Sequence, residues 1–290
     1  MSALSGVLLL DKPSGITSAR AVAQIKHLFP KGTKIGHTGT LDPLASGLLV
    51  LLIGRATRLS RYVTGLDKTY TAIARFGAVS DTLDADGRIT PLKDAPPMPE
   101  EGALRAAARR FTGQILQAPP MASAVKIGGE RLYKAHRRGE TIHRESRPVT
   151  VHSLELVSLD QDTASFAVSC SSGTYVRALI SDLADALNTG AYLTALRRTS
   201  VGYLKAENAA PLEELTSDTM LNRIILTQVV VSHLPMVEIS RGERFAVCNG
   251  RPLGAFGMRG SCRVEVDGEL LAIYRDEDGV ARAEVVLCGG

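Results

Sequence analysis

The residues richest in chemistry lie together in Gly36-His37-Thr38-Gly39-Thr40-Leu41-Asp42-Pro43-Leu44-Ala45-Ser46-Gly47-Leu48. One carboxylate, Asp42, stands among three glycines, two threonines and a serine. Glycine permits backbone shapes that let a ligand come close. Pro43 fixes its own φ and biases Asp42 towards extended backbone. An Asp before a Pro in such a segment is also an ordinary turn residue. The surrounding charge favours chemistry over the turn reading. Between Lys12 and Leu66 there are eight Lys and Arg, and Asp42 is the only acidic residue. A lone carboxylate in a basic field stays ionised, and the field around it attracts a polyanion.

Arg177 is the second residue of interest. It stands in Gly173-Thr174-Tyr175-Val176-Arg177, at the start of an otherwise apolar helical stripe. An arginine entering a core is costly unless it meets a carboxylate. Asp182 and Asp185 are near in sequence, and Asp42 is the distant candidate. A further basic stretch, Lys126 to Pro148, holds seven Lys and Arg against three Glu. It reads equally as a phosphate-contacting loop or as a solvated charged helix. Asp81, Asp84, Asp86 and Gly87 invite a calcium reading, but they lack the EF-hand spacing and its terminal Glu, so a polar turn is expected.

Regular elements must position these residues. Val7 to Leu10 reads as a short buried strand, followed by the turn Asp11-Lys12-Pro13-Ser14-Gly15. Ser18 is expected to cap a helix with Val22, Ile25, Leu28 and Phe29 at helical spacing, stopped by Pro30. The apolar run Leu48 to Ile53 braces the Asp42 loop. Lys68 to Phe76 alternates as a strand, with Tyr70 near its start, where packing is the usual role of such a tyrosine. Residues 91–99 hold four prolines and form a connector, and a helix with Leu104, Ala107, Ala108 and Phe111 follows. Val149 to Leu159 and Ala164 to Cys170 read as paired strands. The helix opening at Arg177 carries Leu179, Ile180, Leu183 and Leu187, with Gly190 as its stop signal. Leu193 to Arg198 completes the larger core. Ser232-His233-Leu234-Pro235 reads as a linker, and beyond it Asp267-Gly268 and Asp278-Gly279 are hairpin turns between apolar runs. Two domains are expected, 1–232 and a small β domain at 233–290.

Composition sets outer bounds. The chain has 290 residues, 44% of them hydrophobic, so a sizeable core is available. Net charge is +4, with −2 after Leu234 and therefore +6 before it. The start lacks a basic n-region, and neither Val7 to Leu10 nor Leu48 to Ile53 approaches the ~20 residues of a membrane span. Cys170, Cys248, Cys262 and Cys288 contain no CxxC pair, so zinc is not expected, and reduced structural thiols in a cytoplasmic protein are.

Together these segments resemble the bacterial tRNA pseudouridine-55 synthases, the TruB group, over about the first 200 residues. Gly36 to Pro43 is similar to the catalytic motif of that family, with Asp42 as its essential aspartate. Leu10-Asp11-Lys12-Pro13-Ser14-Gly15 is similar to its opening motif, and Ser123-Ala124-Val125-Lys126, with Gly129 and Tyr133, to its central one. Gly173 to Arg177 and Leu196-Arg197-Arg198 are similar to its last two. Where members often carry a tyrosine, this chain has Ala122. The C-terminal segment resembles a PUA domain in position and hairpin pattern, though its net negative charge weighs against RNA contact.

The resemblance implies an α/β mixed (α+β) fold, with a mainly antiparallel mixed sheet and a cleft across it. It implies an isomerase that acts on the T-loop uridine of tRNA without cofactor or metal. In this reading the base is flipped out and His37 fills the space it leaves. Asp42 attacks C1′ or takes a proton at C2′, and Arg177 keeps it ionised. Tyr70 stacks on the uracil and relays the C5 proton, while Tyr175 and Leu196 line the pocket. Lys12 and Lys126 support phosphate binding or the fold. The expected partner is the tRNA T-stem-loop alone, met by a monomer with no membrane and no obligate protein partner. Two rivals remain: a non-catalytic tRNA-folding chaperone, and a glycoside hydrolase, which needs a second carboxylate that the Asp42 loop does not supply.

Overall fold

The computed structural model describes residues 4–93 and 96–288. Residues 1–3 of the N-terminal segment and residues 94–95 of the proline-rich connector lie outside them. In chain order the first elements are β1 (Gly6–Lys12), α1 (Ser18–Lys26), β2 (Ile35–His37), β3 (Ser46–Ile53), α2 (Ser60–Thr64) and β4 (Lys68–Phe76). A short ladder, β5 (Ala78–Ser80) and β6 (Ile89–Pro91), leads to α3 (Glu101–Arg110) and β7 (Gly113–Gln117). The hairpin β8 (Lys126–Ile127) and β9 (Glu130–Arg131) precedes α4 (Leu132–Arg137). Next come β10 (Arg147–Leu159), β11 (Thr163–Cys170), α5 (Val176–Asp185) and β12 (Ala191–Val201). The short strands β13 (Leu204–Lys205), β14 (Ala210–Pro211) and β15 (Ile224–Ile225) end this part.

One large sheet has the order β14-β1-β3-β12-β4-β11-β10-β7. Its pairs are antiparallel except β1 with β14 and β3 with β12. The expected mixed, mainly antiparallel sheet is therefore present. On one face, Leu8, Leu10, Leu49, Leu51 and Ile53 pack with residues of α1, α3 and α5. On the other, Val7, Leu9, Leu48, Val50 and Leu52 pack with Val63 of α2 and with Val230 and Val231. A strand covered on both faces reads as a continuous apolar run, which explains Leu48 to Ile53.

The rest of the chain forms a five-stranded sheet. It comprises β16 (Met236–Glu238), β17 (Leu253–Gly254), β18 (Ser261–Val266), β19 (Glu269–Glu277) and β20 (Val280–Val286), with α6 (Arg244–Cys248) against it. Asp267-Gly268 and Asp278-Gly279 all take positive φ at the β18–β19 and β19–β20 turns, as an Asp-Gly hairpin requires. Leu270, Ile273 and Leu287 pack into the second core of the large sheet. Arg55 and Arg58 donate to the carbonyls of Leu287 (2.9 Å) and Val286 (2.7 Å).

Three expectations change. Thr17, not Ser18, caps α1, its hydroxyl accepting from the Arg20 N–H at 3.1 Å. Gly190 does not stop α5: Asn188 takes the positive φ there, and Gly190 packs against Val79. Cys248 and Cys288 form a disulfide, their Cα atoms 5.1 Å apart. Their separation of 40 residues carries no motif, and only the folded sheet brings the end of α6 to the residues after β20. Cys170 and Cys262 are free and buried.

Candidate active site

The Asp42 loop joins β2 to β3 and is fastened on several sides. The Ser18 hydroxyl both accepts from the Leu41 N–H (2.8 Å) and donates to its carbonyl (3.0 Å). The Asp86 carboxylate accepts from the Leu44 N–H at 3.0 Å. Arg198 of β12 donates to the carbonyls of Leu48 (2.7 Å) and Gly39 (3.0 Å). Gly47 lies beside Arg198 in the parallel β3–β12 pairing. Its φ is +96°, and a Cβ there would meet the Arg198 carbonyl at 2.3 Å, so only glycine fits.

A cavity of about 510 Å³ opens over this loop. Asp42, Tyr70, Tyr175, Arg177 and Leu196 all line it, brought from the loop, β4, the entry to α5, α5 itself and β12. Asp42 presents a side chain 36% exposed. The Nε of Arg177 lies 3.0 Å from its Oδ2, and the Arg177 side chain is 3% exposed. The distant partner is thus the one Arg177 meets, rather than Asp182 or Asp185.

Arg177 also lies 3.2 Å from Asp84 Oδ2 and donates to the carbonyls of Thr82 (2.6 Å) and Ala122 (2.9 Å). Asp84 lies in the expected polar turn and is also a buried second carboxylate on the same guanidinium. It also accepts from the Thr82 hydroxyl at 2.6 Å. The contact at Ala122 runs through its backbone, so the missing tyrosine side chain does not alter it. Burial pushes the Asp42 carboxyl above the ordinary carboxylate range, Arg177 draws it back, and Asp84 adds a like-charge push. Burial likewise raises Asp84, opposed by the Thr82 hydroxyl and Arg177. Burial also raises Tyr70, opposed by the neighbouring Arg198 guanidinium.

The remaining expected residues divide. His37 ends β2, half-buried and outside the cavity lining, and its Nδ1 accepts from the Gly39 N–H at 3.4 Å. Burial, then Arg198, lowers its pKa, which favours neutral imidazole. Lys126 is exposed on β8, next to the wall formed by Ser123, Ala124 and Val125. Lys12 is fully buried, its ammonium donating to the carbonyls of Pro13 and Ile16 (2.8 Å each) and Pro43 (3.5 Å). Desolvation lowers its pKa to about 8. Its ammonium is thus spent on backbone carbonyls of the β1 turn and the Asp42 loop.

Sequence reasoning assigned no role to Asp84, Asp86, Arg198 or Lys68. Arg198 belongs to the Leu196-Arg197-Arg198 motif, and its signal was a second arginine on a strand of mainly apolar alternation. Asp84 and Asp86 stood in an acidic turn whose partners are remote in sequence.

The comparisons agree with this geometry. Residues 26–176 match the family model described as TruB family pseudouridylate synthase (N terminal domain). The chain is 43% identical over 302 residues to tRNA pseudouridine synthase B of Burkholderia mallei (strain NCTC 10247), covering 99% of this chain and 98% of that one. It is 43% identical over 283 residues to tRNA pseudouridine synthase B of Azoarcus sp. (strain BH72), covering 96% and 93%. Among solved structures it is similar to a chain of a Cbf5-Nop10-Gar1 complex, at TM-score 0.75 and 28% identity over 98% of this chain and 85% of that one. A chain of an H/ACA RNP bound to a substrate RNA containing 2′-deoxyuridine gives TM-score 0.73 and 25% identity, with the same coverage. The motif order, the Asp42–Arg177 pair at the cavity and these full-length likenesses place this chain in the TruB family of pseudouridine synthases.

Proposed function

We propose that the chain is a tRNA pseudouridine(55) synthase, which isomerises the T-loop uridine to pseudouridine with Asp42 as its catalytic carboxylate. The observation that carries this is the Asp42–Arg177 pair, 3.0 Å apart on a cavity walled by Tyr70, Tyr175 and Leu196. The N1–C1′ bond breaks, the base turns, and C5 bonds to C1′. Asp42 acts as a nucleophile at C1′ or as a base at C2′, and either role needs an ionised carboxylate. Arg177 holds that charge, while Tyr70 stacks on the base and relays the C5 proton. Tyr175 and Leu196 shape the pocket. His37, beside the mouth, fills the space left by the flipped base, and Lys126 meets phosphate at the rim.

The enzyme acts as a cytoplasmic monomer on tRNA, without a protein partner. Residues 1–232 catalyse and 233–290 form a PUA-like β domain. The second sheet, which begins at Met236, supports that division. The test uses the chain alone and unmodified tRNA carrying [5-³H]uridine. Tritium release by the wild type, and none by Asp42→Asn at undiminished tRNA binding, is the expected result. Tight binding without release from either would favour the chaperone reading. Free uracil among the products would favour a hydrolase.

A further inference from the structure

Arg177 is not the only buried cation at the cavity. Arg198 and Lys68 also line it, 2% and 7% exposed. Neither has a carboxylate within salt-bridge reach among the described residues. Two bonds fix the Arg198 plane, Nε to the Leu48 carbonyl and Nη2 to the Gly39 carbonyl. Tyr70 is its register partner across β4–β12, lines the same cavity, and its hydroxyl feels the Arg198 charge. Lys68 donates to the carbonyls of Thr64 and Leu66, so backbone oxygens help solvate its charge too. Burying a charge without a counter-ion is costly, and it persists where an anion arrives. The charges of Asp42 and Asp84 are already opposed by Arg177.

The reaction itself produces that anion. The N1–C1′ bond breaks with its electron pair leaving on the base, whether Asp42 displaces it at C1′ or removes the C2′ proton. The freed uracil therefore carries one negative charge, spread over N1, O2 and O4. C5 then bonds to C1′ as the carboxylate leaves or returns its proton to C2′. The C5 proton departs and N1 takes one up, so atoms and charge balance. A base stacked on Tyr70 develops its charge next to Arg198.

We propose that Arg198 is a catalytic residue that stabilises the departing uracil anion, with Lys68 deepening the positive potential behind it. A preorganised donor acts this way by being already in place when charge develops. The inference rests on the synthase reading. It assigns to the β12 arginine the leaving group, and to Arg177 the carboxylate on the sugar.

The test compares Arg198→Gln and Arg198→Lys with the wild type, in single turnovers on T-arm RNA. The target is either uridine or 5-fluorouridine, whose more acidic base is a better leaving group, and target loss is followed by nuclease digestion and mass spectrometry. Arg198→Gln is expected to slow uridine by roughly 10² to 10³-fold, the usual effect of removing one such donor. It should slow 5-fluorouridine at least tenfold less, and Arg198→Lys should recover part of the uridine rate. Thermal melts and RNA binding establish that each variant is folded. If Arg198→Gln does not fold, Arg198→Lys against the wild type gives the same two-substrate comparison. Equal slowing of both RNAs would make Arg198 a support for the loop and overturn the proposal. So would an unchanged uridine rate. A wild type inactive on both would remove the synthase reading and this one with it.

Discussion

Asp42 works against its surroundings. Burial raises its pKa while the proposed reaction needs its anion, and Arg177 draws the pKa back. The sign is fixed: a group with raised pKa loses its charge as pH falls through that pKa, so activity is present above it and lost below it. The acid limb of kcat/KM should therefore lie above the ordinary aspartate value of about 3.9. Replacing Arg177 by Met removes the main lowering influence and should move that limb to higher pH, beyond a fall in rate. An unmoved limb would show that Arg177 does not hold the charge. The two lysines separate by the same logic. Lys12→Met should lower stability by about 1–3 kcal/mol, through carbonyls left unpaired, and leave the salt dependence of tRNA binding unchanged. Lys126→Ala should reduce that salt slope by about one and leave the melting temperature alone. Asp42 was legible because its neighbours in sequence carry one sign of charge. Asp84 was not, since its meaning depends on Arg177, which lies in another element.

Strand β12 ties the site together, pairing with β3 on one edge and β4 on the other. It places Leu196 and Arg198 in the cavity and holds the Asp42 loop by its arginine. Gly47 lets the two backbones approach. Gly47→Ala should cost at least about 1–3 kcal/mol in urea unfolding, from strained φ and the clash at the Arg198 carbonyl. It should also lower activity more than binding. Local rules found most elements. Alternation revealed β4, period 3.6 revealed α1 and α5, and Asp-Gly revealed both C-terminal hairpins, because each signal lies within its own segment. The β3–β12 neighbourhood is parallel and remote, so no local pattern marks it. Ser18 shows the same limit: a hydroxyl suited to capping is used on Leu41 instead, while Thr17 caps.

At the scale of the molecule, the small sheet is held through Arg55 and Arg58 on the last residues of β20 and just beyond, and through Tyr62 on Glu284. The Cys248–Cys288 bond closes the same end. Thiol titration of the denatured, unreduced protein should find two thiols, Cys170 and Cys262; four would show the pair open. Cys248→Ser should destabilise by up to about 4 kcal/mol on chain-entropy grounds for a loop of this length, without altering the Asp42 chemistry. Charge segregation between the halves was visible in composition, but the pairing of two cysteines 40 residues apart was not. The position of β12 also governs when the enzyme comes into being. Arg198 follows Gly39 by 159 residues. At ~5–20 residues per second of translation, the Asp42 loop waits roughly 8 to 30 s for the strand that completes it. Until then β3 and β4 each keep an edge without its β12 partner, and such an open edge is a template for pairing with other strands.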